Sequence, residues 1–141
     1  MLVKDVMKRE VIAINPDISI REASKVMSKH NIGSLLVLDD EKLVGILTER
    51  DVLNLVARGE NLDEVKVKDV MSRDVITIES DKKIEDAVDL MLKHKIKKLP
   101  VMESGKIVGI ITTSDIIVAE PKLIEAIASL ISLRIPGYRG G

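Results

Sequence analysis

The sequence predicts an α+β protein built from two copies of one β-α-β-β-α unit, packed as a pseudo-twofold pair and followed by a C-terminal helix. Three observations carry this. The 141-residue chain matches itself at an offset of 64 residues. Hydrophobic periodicity changes inside each copy, from short β-branched runs to helical spacing and back. Turn-forming residues separate these segments at short intervals.

The repeat begins where Val3-Lys4-Asp5-Val6-Met7 falls on Val67-Lys68-Asp69-Val70-Met71. It runs without a gap through Met27 on Met91, Lys29-His30 on Lys93-His94 and Val44-Gly45-Ile46 on Val108-Gly109-Ile110. It ends with Thr48 and Asp51 on Thr112 and Asp115, and 24 of the 51 positions from Val3 to Leu53 are identical to their partners. Two copies are too few for a solenoid, which needs about three repeats to bury its core. A unit this small has a marginal core alone, so pairing of the twins is expected. The boundaries read as a first repeat at 1–58, a polar linker at 59–66, a second repeat at 67–120, a helix at 121–134 and a tail at 135–141.

In the first unit, Val11 to Ile14 is a β-branched run stopped by Asn15-Pro16-Asp17, the pattern of a strand ending in a turn. Ser19-Ile20-Arg21-Glu22 has capping-box spacing, and Ile20, Ala23 and Met27 share one helical face, which predicts a helix from Ser19 to His30. Leu35 to Leu38 and Leu43 to Leu47 are apolar strands joined by Asp39-Asp40-Glu41, a link short enough to require an antiparallel hairpin. A second helix follows Thr48 and stops near Gly59. The second unit repeats the order with Glu103-Ser104-Gly105 as its hairpin turn. After Pro121, the residues Leu123, Ile127, Leu130, Ile131 and Arg134 line one face of the final helix, with Glu125 and Ser129 opposite.

Composition removes several function classes. Twenty-two basic and 23 acidic residues leave a net charge of −1, which supplies no bulk field for nucleic acid or an anionic membrane. Neither the helix from Ser19 nor the tail from Pro121 is long and apolar enough to span a bilayer, and no signal peptide is recognisable, so a cytoplasmic location is expected. The chain has no Cys, which excludes disulfides and thiolate chemistry. The absence of Cys and Trp beside abundant Lys, Glu and Ile leans toward a thermophilic source. Tyr138 is the sole aromatic residue, so no base-stacking platform can form.

The chemistry concentrates in Gly45-Ile46-Leu47-Thr48-Glu49-Arg50-Asp51 and its copy Gly109-Ile110-Ile111-Thr112-Thr113-Ser114-Asp115. Each runs from a strand straight into a helix N-terminus. Thr-x-x-Asp is the spacing of an N-cap with an acid at N3, a device that stabilises a helix by about 1 kcal/mol without any ligand. The same junction can accept a phosphate on free N–H groups, with the Asp facing the hydroxyls of a ribose.

Gly-hydrophobic-hydrophobic-Thr-x-x-Asp closing a β-α-β-β-α unit resembles the cystathionine-β-synthase domain, or CBS domain, and two in tandem resemble a Bateman module. The Val-Lys-Asp-Val-Met lead-ins and Ile96-Lys97-Lys98-Leu99-Pro100-Val101 extend the likeness over residues 3 to 117. The resemblance implies composite clefts for adenosyl ligands such as AMP, ADP, ATP or S-adenosylmethionine. It groups Thr48 and Asp51 with Val75, Ile76, Thr77, Lys97 and Lys98, and groups Thr112 and Asp115 with Ile12, Ala13, Ile14, Gly33 and Ser34. The first cleft is the more basic, because Lys97-Lys98 stands where the other repeat has Gly33-Ser34. It also implies disc-like homodimers and an effector protein that the sequence does not identify.

His30 and His94 recur at helix C-termini, where an imidazole interacts with the last carbonyls, and neither has a second ligand at metal spacing. No metal or cofactor is expected beyond the regulatory ligand. No nucleophile–base pair or Walker loop is present, so no catalysis is expected. Two other readings compete with a ligand sensor. One is a ligand-free protein–protein scaffold; the weaker is nucleic-acid binding through Lys97, Lys98 and Arg50.

Overall fold

The computed structural model describes residues 1–131; the end of the final predicted helix, with Arg134, and the tail with Tyr138 lie outside them. Each repeat forms one three-stranded sheet with its helices. In the first, β1 (Ala13–Ile14) pairs parallel with β2 (Ser34–Asp39), which pairs antiparallel with β3 (Lys42–Thr48). In the second, β4 (Ile78–Glu79), β5 (Lys98–Glu103) and β6 (Lys106–Thr112) repeat that order. The predicted hairpins form, and their two-residue turns hold Asp40-Glu41 and Ser104-Gly105 at positive φ, the twist that tight hairpins require. The first strand is shorter than expected, since only Ala13 and Ile14 of the Val11–Ile14 run pair with β2.

The helices follow the apolar spacing. α2 (Ile20–His30) is capped by Ser19, whose hydroxyl accepts from the Glu22 N–H, and it buries Ile20, Ala23 and Met27. α4 (Ile84–His94) buries Ile84, Ala87, Val88 and Met91. Both end on a left-handed residue, Asn31 and Lys95, and leave His30 and His94 in the exposed last turn. α3 (Glu49–Ala57) and α5 (Thr113–Ala119) start directly from β3 and β6. After a 3₁₀ turn at Pro121–Leu123, α6 (Ile124–Ile131) buries Ile127 and Leu130 in the core that contains α4.

The chain divides into two compact units that do not coincide with the two repeats. The first unit combines Met1–Val11 with the chain from Ile76 onward, and the second is Ile12–Val75. Each lead-in therefore packs in the unit built on the other repeat's sheet. In the first unit α1 (Val3–Val6) buries Val3 completely, and Met7 joins the core of Leu99, Val101 and Ile111. In the second, a 3₁₀ turn at Val67–Asp69 buries Val67, and Met71 joins Leu35, Val37 and Leu47.

The attachment is the same both times. Val3 N–H donates to Lys82 O at 2.7 Å, and Val67 N–H donates to Ile18 O at 3.0 Å. Lys8 and Ile110 exchange two backbone hydrogen bonds of 2.9 Å, as do Ser72 and Ile46. The stretch expected to be a linker is also tied down: Ile20 N–H donates to Val65 O at 2.9 Å and Arg21 N–H to Leu62 O at 3.0 Å. The Lys68 ammonium lies 3.0 Å from Asp17, and this hydrogen bond holds the Asp17 carboxyl below its ordinary range and raises Lys68.

Glycine makes the lead-in bridges possible. A Cβ on Gly109 would stand 2.6 Å from Lys8 O and 2.7 Å from Met7 Sδ. One on Gly45 would stand 2.6 Å from Met71 Sδ and 2.9 Å from Ser72 O. A glycine inside a strand commonly marks such a close backbone approach. We predict that Gly109→Ala destabilises the chain by about 1–3 kcal/mol, the cost of overpacking a closed interior. Gly33→Ala is the control, because its methyl meets only the Glu49 side chain, at 3.1 Å. Equal denaturation midpoints for the two variants would remove the glycine contact from this role.

Candidate functional site: the two Thr-x-x-Asp junctions

Each junction is a complete capping box. Thr48 Oγ1 accepts from the Asp51 N–H at 3.2 Å, and Asp51 Oδ2 accepts from the Thr48 N–H at 2.9 Å. In the other unit Thr112 Oγ1 accepts from the Asp115 N–H at 3.2 Å, and Asp115 Oδ2 accepts from the Thr112 N–H at 3.0 Å. The structural role is therefore real. It does not exhaust the chemistry, because an ionised carboxylate offers roughly four acceptor positions, and each Thr hydroxyl still has its proton to donate. Asp51 is partly buried and the Asp115 side chain nearly wholly so, and a ligand meeting either would be partly desolvated.

The start of the middle strand lies beside each junction within its own unit. Gly33 O accepts from the Glu49 N–H at 2.9 Å, and Ser34 pairs with Thr48. Lys97 O accepts from the Thr113 N–H at 2.9 Å, and Lys98 pairs with Thr112. Of the other residues expected at the sites, Ile12, Ala13, Ile14 and Val75 belong to the unit of Thr48 and Asp51, and Ile76 and Thr77 to the unit of Thr112 and Asp115. Ala13 and Ile14 form β1; Ile76 and Thr77 immediately precede β4.

Electrostatically the two junctions differ by more than the lysine pair. Glu49, beside Gly33, is exposed, and at its place in the other repeat Thr113 is buried. Lys8 Nζ stands 3.6 Å from Asp115 Oδ1, with the Asp115 side chain only 9% exposed and Lys8 67% exposed. The sequence reading missed Lys8 because it assigned the lead-in to its own repeat. Its counterpart at the Asp51 junction is Ser72, held by the same two backbone bonds but uncharged. A groove of about 440 Å³ runs beside the pair, lined by Asp5, Val6, Lys8, Ser114, Asp115 and Val118. Among the described residues, no group of His, Asp and Glu is placed to hold a metal ion, and no helix is long and apolar enough to cross a membrane.

The model of the CBS domain matches residues 3–58 and again 67–122. The chain belongs to the CBS domain family. Solved CBS structures share its architecture. The CBS domain NE2398 superposes with a TM-score of 0.77 at 35% identity, covering 84% of this chain and 96% of that one. The CBS domain pair of protein MJ0100, crystallised in complex with 5′-methylthioadenosine and S-adenosyl-L-methionine, gives 0.75 at 34% identity over 86% of this chain and 97% of that one.

Among curated relatives, an uncharacterised protein of Methanopyrus kandleri is 40% identical over 128 residues, 89% of this chain and 65% of its own length. An uncharacterised protein of Methanocaldococcus jannaschii is 42% identical over 118 residues, 82% of this chain and 38% of its own. The CBS pair thus spans less than two thirds of these first relatives. The inosine-5′-monophosphate dehydrogenase of Thermoplasma acidophilum is 44% identical over 110 residues, but these cover 21% of that enzyme and 77% of this chain. The shared segment is its CBS part.

The capping boxes themselves are measurable. Thr48→Ala and Thr112→Ala should each lower unfolding free energy by about 1 kcal/mol, the usual worth of an N-cap side chain. Chemical denaturation that shows no loss in either variant would mean the boxes do not form in solution.

Proposed function

We propose that this CBS pair is a regulatory ligand-sensing module that binds an adenosyl ligand, AMP, ADP, ATP or S-adenosylmethionine, at its Thr-x-x-Asp junctions. Binding shifts a conformational population, and a partner protein in the cytoplasm reads that shift. The observation that carries the proposal is the duplicated box itself. In each, an Asp commits one oxygen to the cap while its remaining acceptor capacity suits the vicinal hydroxyls of a ribose. The adenosyl ligands of the MJ0100 pair support the ligand class.

The test is calorimetric titration with AMP, ATP and S-adenosylmethionine of the native chain, Asp51→Asn and Asp115→Asn. Asparagine keeps an acceptor for the cap but loses the charge. Each substitution should weaken binding at its own site by about tenfold to a hundredfold, the worth of a hydrogen bond to a charged group. Affinity unchanged in both variants would leave the boxes as helix caps alone and favour the ligand-free scaffold.

Charge separates the two sites. The residues that the family likeness groups with each Asp complete the proposal: Lys97 and Lys98 favour a phosphate at the site of Asp51. Lys8, 3.6 Å from Asp115, gives the other site a cation that Gly33 and Ser34 do not supply. Ammonium groups near a phosphate strengthen binding in a salt-dependent way. AMP should therefore bind better than adenosine, with the margin shrinking at high salt. Changing both Lys97 and Lys98 to Ala should reduce the margin at one site, and Lys8→Ala should reduce it at the other. A margin untouched by either change would contradict the assignment of these lysines.

A further inference from the structure

Duplication gives the two capping boxes one frame and different neighbours. In both, one carboxylate oxygen is committed to the cap: Asp51 Oδ2 accepts from the Thr48 N–H at 2.9 Å, and Asp115 Oδ2 from the Thr112 N–H at 3.0 Å. The difference lies at the other oxygen. Asp115 Oδ1 faces Lys8 Nζ at 3.6 Å, whereas at the Asp51 junction the place of Lys8 is taken by the uncharged Ser72. The oxygen with which Asp115 would hold a ribose therefore already has a cation against it, supplied from within the same unit. The two members of this pair are unequally fixed. Asp115 is anchored by its cap and its side chain is 9% exposed, while Lys8 is 67% exposed on a flexible four-carbon stem. The ammonium stands farther from Oδ1 than the about 2.7–2.9 Å of a charge-assisted hydrogen bond, and a groove of about 440 Å³ adjoins the pair. The anion is held in place and the cation is free to move.

We propose that Lys8 is a specificity-determining residue, a displaceable guard on Asp115 that makes this site favour phosphorylated nucleosides over uncharged ones. The inference rests on the reading of Asp115 as a ribose-binding group. An uncharged nucleoside must compete with the ammonium for Oδ1. A phosphorylated one brings a stronger anion, since a phosphate monoester carries a charge of about −1.5 to −2, against the single charge of a carboxylate that the Thr112 N–H already shares. The ammonium then passes from the carboxylate to the phosphate, and Oδ1 is released to the ribose hydroxyls as the ligand enters. The Asp51 junction, with Ser72, has no such exchange. A guard also differs in sign from a lysine that only attracts phosphate. Salt screens the Lys8–Asp115 attraction, so adenosine should bind the Asp115 site more tightly as salt rises, while AMP binds less tightly.

The test is calorimetric titration of adenosine and AMP, at low and high salt, into the full chain carrying Asp51→Asn, which leaves the Asp115 site as the stronger one. Adding Lys8→Met keeps an apolar stem and removes the charge. It should raise adenosine affinity by about two- to fivefold, the range of an ion pair with an exposed partner. It should also lower AMP affinity and abolish the rise of adenosine binding with salt. Lys4→Met, which removes an exposed lysine of the same lead-in, should leave the pattern unchanged. Adenosine affinity indifferent to salt and to Lys8→Met, while Asp115→Asn still weakens AMP, would overturn the guard and keep the ribose reading. Binding of both ligands indifferent to Asp115→Asn would overturn both.

Discussion

Two backbones approach each other at Gly45 and Gly109 more closely than a side chain would permit, and much of the architecture depends on that contact. At each glycine the lead-in of the other repeat passes over the third strand with a methionine sulfur under 3 Å from where a Cβ would stand. The strand then exchanges a pair of backbone hydrogen bonds with the passing segment. Two amide bonds contribute little net free energy, roughly 1 kcal/mol each. Their larger effect is to seat Val3 and Met7 in one core and Val67 and Met71 in the other. Those apolar side chains supply burial that a unit of three short strands and two helices would otherwise lack.

The same contact sets the surroundings of the capping boxes. Because the lead-in is pinned at the residue after the glycine, position 8 is delivered beside Asp115 and position 72 to the matching place in the other unit. The backbone is alike in the two cases and the side chains are not, so duplication preserved the frame while the charges diverged. Lysine stands where the copy has serine, and Glu49 where the copy has Thr113. A module that reports on a ligand gains from such divergence, since sites in one frame can differ in preference without refolding the scaffold.

Much of this was legible in the sequence. The 64-residue offset, the β-branched runs and the helical spacing of Ile20, Ala23 and Met27 predict the order of elements, and both hairpins and the Thr48 and Thr112 caps form as expected. The exchange of lead-ins was not legible. An internal alignment places Val3 to Met7 with the repeat that follows it, and spacing along a chain does not say which sheet a segment will meet. A signal was nevertheless present, since Gly45 and Gly109 interrupt otherwise apolar strands, and a strand glycine marks close approach. The packing of residues 59–66 was not legible for a related reason: their polar composition hides Leu62 and Val65, which pack against the core, and their carbonyls engage the start of α2. The residues grouped across repeats by family likeness rest on that likeness alone, whereas Lys8 stands beside Asp115 only because the fold carries the lead-in to the other sheet.

Amide hydrogen exchange at Lys8 and Ser72 tests the lead-in bridges most directly. Both side chains are exposed, so any protection of their N–H groups must come from the bonds to Ile110 and Ile46. The account predicts protection close to that of β3 and β6 themselves, opening only with the whole unit. Exchange at the rate of an unstructured segment would show that the lead-ins are not part of the sheets, and would contradict the dependence of the fold on Gly45 and Gly109.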